Sequence, residues 1–413
     1  MAPMKGGGRT AADLGTTSRP TASGEAAAAP RGVFVDAGLE AQFGRALQSH
    51  VPIDAARQLQ PSSLDLRLGA RVHQLRAGFL PEHARVEERL DQLSVQTFEL
   101  TGEGLVLQRG VIYLVELEEW LELPADVLAR FNPRSSTGRL DLFCRVLAPG
   151  HPRFDEAPPG YRGRVWIEIV PLSFPVRVRR GDRLAQVRLQ RGDPALSRDE
   201  LRAVYERTPL CFVGEQPVPI DEVRFDESGA LELRVGLSGR EPFGWRAALN
   251  TSAIDFAGEG VHDAQEFFEP LYIGSGGNSG SSPRGGCVLD PGRFYIFASR
   301  ERLRVPPDLC AEMLPVDVGF GELRNNYAGF FDNGFGWSED AAGRPTGNGT
   351  PAVLEVRAHD VPFLVEDGQI FFRLRYYRTT ARPRALYGRN RAGGASYQGQ
   401  DLTLARPLRT PRR

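Results

Sequence analysis

Hydrophobic and polar residues alternate along much of this chain. Val176-Arg177-Val178-Arg179 and Phe372-Arg373-Leu374-Arg375-Tyr376 each set one face toward a core and the other toward solvent or a partner. Such runs are short and bounded by Gly, Pro and Asp, the residues of tight turns, so the chain reads as mainly β. Helices are predicted to be few. The clearest begins at Ser197, where Ser197-Arg198-Asp199-Glu200 has the spacing of a capping box. The Gly- and Ser-rich residues 274–283 are predicted to form a flexible surface loop.

The pattern also repeats. Residues 104–127 match residues 286–309 at a constant offset, which superposes Gly110 on Gly292, Tyr113 on Tyr295, Pro124 on Pro306 and Asp126 on Asp308. Leu64-Asp65-Leu66-Arg67-Leu68-Gly69 matches Leu231-Glu232-Leu233-Arg234-Val235-Gly236, and later Glu168 falls on Glu355. Matches in the same order indicate duplication of one β-rich domain, as two barrels or sandwiches. The predicted organisation is an N-terminal disordered extension (1–32), a first domain (33–192), a helical linker (193–222), a second domain (223–377) and a basic tail (378–413).

Composition adds mainly exclusions. With 413 residues and 41% hydrophobic content the chain can bury more than one core. A net charge of -1 gives no global pull toward nucleic acid or an anionic membrane. The charge is uneven, because residues 378–413 carry nine Arg against the single acid Asp401. That tail is either a solvated extension or a lid for an anionic ligand. Lys5 is the only lysine, so Schiff-base and P-loop lysine chemistry have no residue to use. Cys144, Cys211, Cys287 and Cys310 form no CxxC pair, which signals neither structural zinc nor a disulfide framework and points to a reducing cytoplasm. No apolar run reaches the ~18 residues that read as a membrane span.

Three places carry candidate chemistry. Asn132-Pro133-Arg134-Ser135-Ser136-Thr137-Gly138-Arg139 combines two guanidiniums, three hydroxyls and a bend, a combination suited to phosphate oxygens. The second copy reads Val316-Asp317-Val318-Gly319-Phe320-Gly321 there and has lost this chemistry. Glu168 and Glu355 lie within apolar strand text, where an acid is costly unless it is paired or functional. A Glu buried beside a ligand could shuttle protons. Asp332 sits in Asp332-Asn333-Gly334, a strong turn former.

These segments resemble a known superfamily. Residues 62–69, Arg134–Arg139, Gly181-Asp182-Arg183-Leu184-Ala185-Gln186 and Tyr327–Phe335 look like the motifs of the dUTPase and dCTP deaminase superfamily. The closer resemblance is to long, two-domain bacterial dCTP deaminases. It implies two tandem distorted β-barrel or jelly-roll domains, and sites built between neighbouring copies. It also implies deamination of dCTP to dUTP with release of ammonia, feeding thymidylate synthesis.

Where the hydrolases of the superfamily carry an Asn-type residue, this chain has Glu355, as the deaminases do. Tyr327 and Asp332 belong to the hairpin that the resemblance assigns to substrate. Tyr387, Tyr397 and Gln400 resemble residues of a C-terminus that closes over base and phosphates. Ser396 stands where relatives place a lysine. Residues 157–161 lack the hairpin Asp of the family.

The expected substrate-binding set is therefore Arg134, Ser135, Ser136, Arg139, Tyr327, Asp332, Tyr387, Tyr397 and Gln400. Glu355 is the expected catalytic residue and Glu168 the reserve. Zinc deaminases need a metal motif that this chain lacks, so a zinc-free route is expected, with Mg2+ entering only with the triphosphate. The expected setting is a cytoplasmic homo-oligomer with dCTP as its partner and no nucleic acid or membrane. Two readings stay open beside it: a dUTP pyrophosphatase or bifunctional deaminase/dUTPase, and a non-catalytic nucleotide sensor.

Overall fold

In both halves an arginine marks the point where a strand changes its pairing partner. The computed structural model describes residues 30–83, 85–273, 281–282, 286–315, 323–325, 329–358, 360–389 and 397–409. Leu64–Leu66 pairs with residues 185–187, and after Arg67 the chain continues as Leu68–Leu75 beside Ile112–Glu122. In the second half, residues 231–233 pair with residues 372–374, the register shifts at Arg234, and Val235 and Gly236 pair with Ser299 and Ala298.

Each corner is closed in the same way. The amide and Nε of Arg67 donate to the two carboxylate oxygens of buried Glu119 at 2.8 and 2.6 Å. Arg234 does the same to Glu301, also at 2.8 and 2.6 Å. A buried carboxylate is costly unless it is fully paired, and here the pairing fixes the bend.

The matched segments are also matched in space. The Tyr113 hydroxyl accepts from the Gln108 amide at 3.0 Å, and the Tyr295 hydroxyl accepts from the Asp290 amide at 2.9 Å. Gly110 and Gly292, with φ of 76° and 68°, make the left-handed turn before each strand, a conformation a Cβ would disfavour. Glu168, on Arg162–Pro171, lies opposite Leu114, and Glu355, on Thr350–Ala358, lies opposite Ile296, so the two acids hold equivalent positions.

The first half contains a five-stranded and a six-stranded sheet, and most second-half strands join one eleven-stranded sheet. Alternation holds where the sequence predicts it: Phe372, Leu374 and Tyr376 are buried, and Arg373 and Arg375 between them are half-buried. The fold is mainly β, as the alternation and turn residues predict. Ser197 and Glu200 form the capping box of the helix Arg198–Arg207, which buries Leu201 and Tyr205. No described helix is long and apolar enough to cross a membrane. Most of the predicted loop at 274–283 lies outside the described residues.

The halves are not separate beads. Residues 31–413 form one compact unit. Val176–Val178 pairs in parallel with Ile254–Asp255, and Arg179 grips Asp255 through two bonds of 2.5 and 2.7 Å. One core joins Leu107 and Val176 to Phe267, Phe294, Leu404 and Leu408.

This arrangement changes the picture of the tail. A free lid would have an unattached end, but Leu408–Arg409 pairs with His262–Asp263, and Leu404, Ala405 and Leu408 are buried. Truncation at Tyr387 therefore removes core side chains, each large one stabilising by about 1.5–3 kcal/mol. Point changes are the better probe of this segment.

Candidate active site

The strand Val127–Pro133 leads into a single helical turn, Ser135–Gly138. The amides of Thr137 and Gly138 donate to the Arg134 carbonyl at 2.8 and 3.1 Å, and that of Arg139 to Ser135 at 3.1 Å. The turn thus uses three amides internally, which leaves the amides of Ser135 and Ser136 for an anion. Thr137 Oγ1 and the Arg134 amide both donate to the Leu184 carbonyl at 2.9 Å, which ties the turn to residues 181–186. Arg134 Nε lies 3.1 Å from buried Asp65, and Nη1 donates to the Arg183 carbonyl at 3.1 Å.

The tail closes over this turn. Ser136 Oγ lies 2.8 Å from the Tyr397 hydroxyl. Arg139 is buried, donates to the Thr403 carbonyl at 2.7 Å, and places its guanidinium 3.7 Å from the centre of the Tyr397 ring. The Tyr397 amide donates to the Tyr387 hydroxyl, whose pKa burial pushes up to about 12. Gln400 donates to the Pro351 carbonyl at 3.2 Å beside the strand that carries Glu355, and its buried Oε1 has no hydrogen-bond partner among the described residues. Arg139→Ala should release this closure. Losing a charge-assisted bond and a cation–π contact costs about 2 kcal/mol. Faster proteolysis within residues 397–409 and a raised KM for nucleotide are the expected readouts; no change in either would show that Arg139 does not hold the tail.

The two glutamates meet different surroundings. Glu168 is buried and held by Arg145 from the neighbouring strand, with Oε1 accepting at 2.5 and 3.1 Å. Gly78 covers its other oxygen. Glu355 is equally buried, but what lies against its carboxylate is Gly138 of the first copy. A Cβ on Gly138 would overlap that carboxylate, so this close approach needs glycine. The structure thus brings the Arg134–Arg139 turn of one copy to the glutamate of the other.

The second-copy hairpin joins the same neighbourhood. Asp332 is buried; Oδ1 accepts from Ser62 Oγ at 2.8 Å and from Arg188 Nη2 at 2.9 Å, and Oδ2 from Ser63 Oγ at 3.2 Å. All three donors belong to the first copy. Tyr327, and residues 316–321 where the second copy departs from the turn motif, lie outside the described residues, as does Ser396.

The first copy's own hairpin is arranged differently. Glu156 and Ala157 pair with Arg130 and Ala129, while Phe330 and Phe331 pair with Glu312 and Ala311, which puts Pro158 where the second copy has Asp332. Just before it, Asp155 has φ of 61° and accepts from the Val146 amide at 2.8 Å. Burial is the main influence on this carboxyl and pushes its pKa up to about 7. A carboxyl raised in the folded state binds its proton more tightly there than in the unfolded chain. Its contribution is therefore most favourable below about pH 4 and is lost as pH rises through about 7. Melting followed from pH 4 to 7 should show a steeper loss for the wild type than for Asp155→Asn. Parallel curves would refute the assignment.

Several partners are missed by sequence reading. Arg188 follows Gln186 by two residues on Ala185–Arg191, and alternation marks it only as a strand residue of either face. Ser62 and Ser63 lie inside a recognised motif, yet nothing local shows that their hydroxyls cross to the other copy. Gln398 bonds to Gly334, Gly336 and Trp337 and so locks the tail to the hairpin.

Fold and site together define a duplicated β-barrel protein whose candidate site is assembled from both copies. Residues 30–193 match the family model described as the 2'-deoxycytidine 5'-triphosphate deaminase N-terminal domain, and residues 197–408 match that of its C-terminal domain. The chain belongs to the dCTP deaminase family.

A crystal structure of 2'-deoxycytidine 5'-triphosphate deaminase from Agrobacterium tumefaciens superposes with a TM-score of 0.75 at 39% identity, covering 85% of this chain and 99% of that one. A dCTP deaminase of Natronomonas pharaonis is 33% identical over 136 residues, 32% of this chain and 67% of the relative. A dUMP-forming dCTP deaminase of Halobacterium salinarum is 31% identical over 136 residues, with the same coverage.

Proposed function

We propose that this chain deaminates dCTP to dUTP at a site formed by both copies. The observation that carries the reading is the Glu355 carboxylate set against Gly138 within the Arg134–Arg139 turn. Replacing the amino group at C4 of cytosine requires a water activated for attack, a proton for N3 and a proton for departing ammonia. One carboxylate that accepts and returns protons can serve all three steps. Glu355 has that role in this reading. Arg134, Ser135, Ser136 and Arg139 take the phosphates, and Tyr387, Tyr397 and Gln400 close the site.

Asp332 supports deamination over hydrolysis. Both of its oxygens accept from Arg188 or serine hydroxyls, which commits the carboxylate to holding the hairpin rather than to activating water. It clamps the hairpin to the first copy instead. The zinc-free route is proposed from the thiols. All four are buried, and among the described residues no three His, Cys, Asp or Glu side chains come together as a metal site. Magnesium enters as part of the substrate, on the triphosphate. Self-association rests on the family resemblance and is read by light scattering.

Product analysis on dCTP and dUTP tests the reading. Ammonia with dUTP and without pyrophosphate is the expected result. Pyrophosphate with dUMP would make the chain a dUMP-forming enzyme, and binding without turnover would make it a sensor.

A further inference from the structure

The first copy keeps a counterpart of the site, and fills it from within. Glu168 holds the strand position equivalent to that of Glu355 and is as deeply buried, yet both of its oxygens are covered by the first copy itself.

Arg145 covers Oε1. Its Nε and Nη2 donate to that oxygen at 3.1 and 2.5 Å. Its guanidinium lies over the Phe154 ring, 3.7 Å from the centre, and 5.0 Å from the centre of Phe143. A planar cation set against aromatic carbon thus presents two adjacent N–H bonds to a buried carboxylate. Cytosine protonated at N3 has the same features, being a planar amidinium whose N3–H and N4–H point the same way. Arg145 gives Glu168 what a protonated base would give Glu355.

A flap, residues 76–83 and 85–93, covers the other oxygen and the sheet around it. Gly78 lies against Glu168 Oε2 as Gly138 lies against Glu355, and a Cβ on either glycine would overlap the carboxylate. Phe79, Leu90 and Leu93 pack on buried Leu114, Leu147 and Trp166. The Arg76 amide donates to the Leu93 carbonyl at 3.1 Å and closes the base of the flap. At Glu355 this place belongs to a turn from the other copy.

Beside Arg145 the two copies leave a cavity of about 280 Å³. Phe143, Arg145, Phe154 and Asp155 line it from the first copy, and Glu312 and Met313 from the second, while Glu168 is not part of its wall. The Arg145 side chain therefore stands between this space and the carboxylate.

We infer that the first copy holds a latent base site sealed by Arg145 and the flap. The chain then binds one nucleotide, and removing the Arg145 head opens a site at Glu168 for a planar amidinium or guanidinium. The inference rests on reading Glu355 as the residue that meets the base.

Equilibrium binding of dCTP to the full-length wild type should saturate at one nucleotide per chain; two per chain overturns the inference. Methylguanidinium, which matches the missing side-chain head, should bind Arg145→Ala roughly 10- to 100-fold more tightly than it binds the wild type, the range of one charge-assisted bond. Adding Glu168→Gln to Arg145→Ala should return that affinity to the wild-type level. Arg145→Ala that gains no affinity, or keeps the gain without the acid, overturns the latent site. The wild-type stoichiometry needs no variant and decides the matter if Arg145→Ala does not fold. Wild-type protein that binds one dCTP and releases no ammonia would leave this inference standing and end the deaminase reading. Wild-type protein that releases ammonia and binds two dCTP per chain would do the reverse.

Discussion

Glu355→Gln is expected to abolish turnover while leaving nucleotide binding nearly intact. Gln keeps the size of the side chain and one oxygen, so the packing against Gly138 survives. What it loses is the ability to take a proton from water and return it to the base. Removing a proton-transfer group of this kind typically costs about 10²–10⁴-fold in rate.

Glu168→Gln should behave differently. Its carboxylate is engaged by Arg145 inside the first copy, so the change weakens a charge-assisted bond worth about 1.5–3 kcal/mol of stability and spares the rate. Gly138→Ala is a third arm, because its Cβ would displace the Glu355 carboxylate and lower kcat with both acids retained. Steady-state kinetics with dCTP and a binding titration decide the matter. A dead Glu168→Gln beside an active Glu355→Gln would reverse the roles of the copies.

The second large effect falls on stability. Asp332→Ala leaves Arg188, almost wholly buried, without its carboxylate, and leaves the hydroxyls of Ser62 and Ser63 without their acceptor. Breaking a buried ion pair by removing one partner costs about 3–5 kcal/mol. Because the pair joins the second-copy hairpin to the first copy, the loss should appear as a lowered denaturation midpoint. Arg188→Met in the Asp332→Ala background removes the stranded charge and should recover part of it. A midpoint unchanged in Asp332→Ala would mean that the clamp does not hold the copies together.

Part of this architecture is legible in the sequence because its causes are local. Alternation from Phe372 to Tyr376 places every second residue in a core. The spacing of Ser197 and Glu200 writes the start of a helix. The repeat predicts that Tyr113 and Tyr295 do the same work, and both accept an amide five residues upstream. It also predicts that Glu168 and Glu355 are equivalent strand positions.

What separates those two acids is not local. They share register and burial, and differ in what the chain path brings against them: Arg145 from a neighbouring strand and Gly78 against Glu168, and Gly138 from the other copy against Glu355. The clamp of Asp332 by Ser62, Ser63 and Arg188 likewise depends on how two copies pack, as does the pinning of Leu404 and Leu408 in a shared core. Sequence alternation reports which way a side chain faces within its own sheet. The charge or space that it meets there is supplied by residues distant in the chain, so the duplicated strands were written in the sequence and the division of labour between them was decided by tertiary packing.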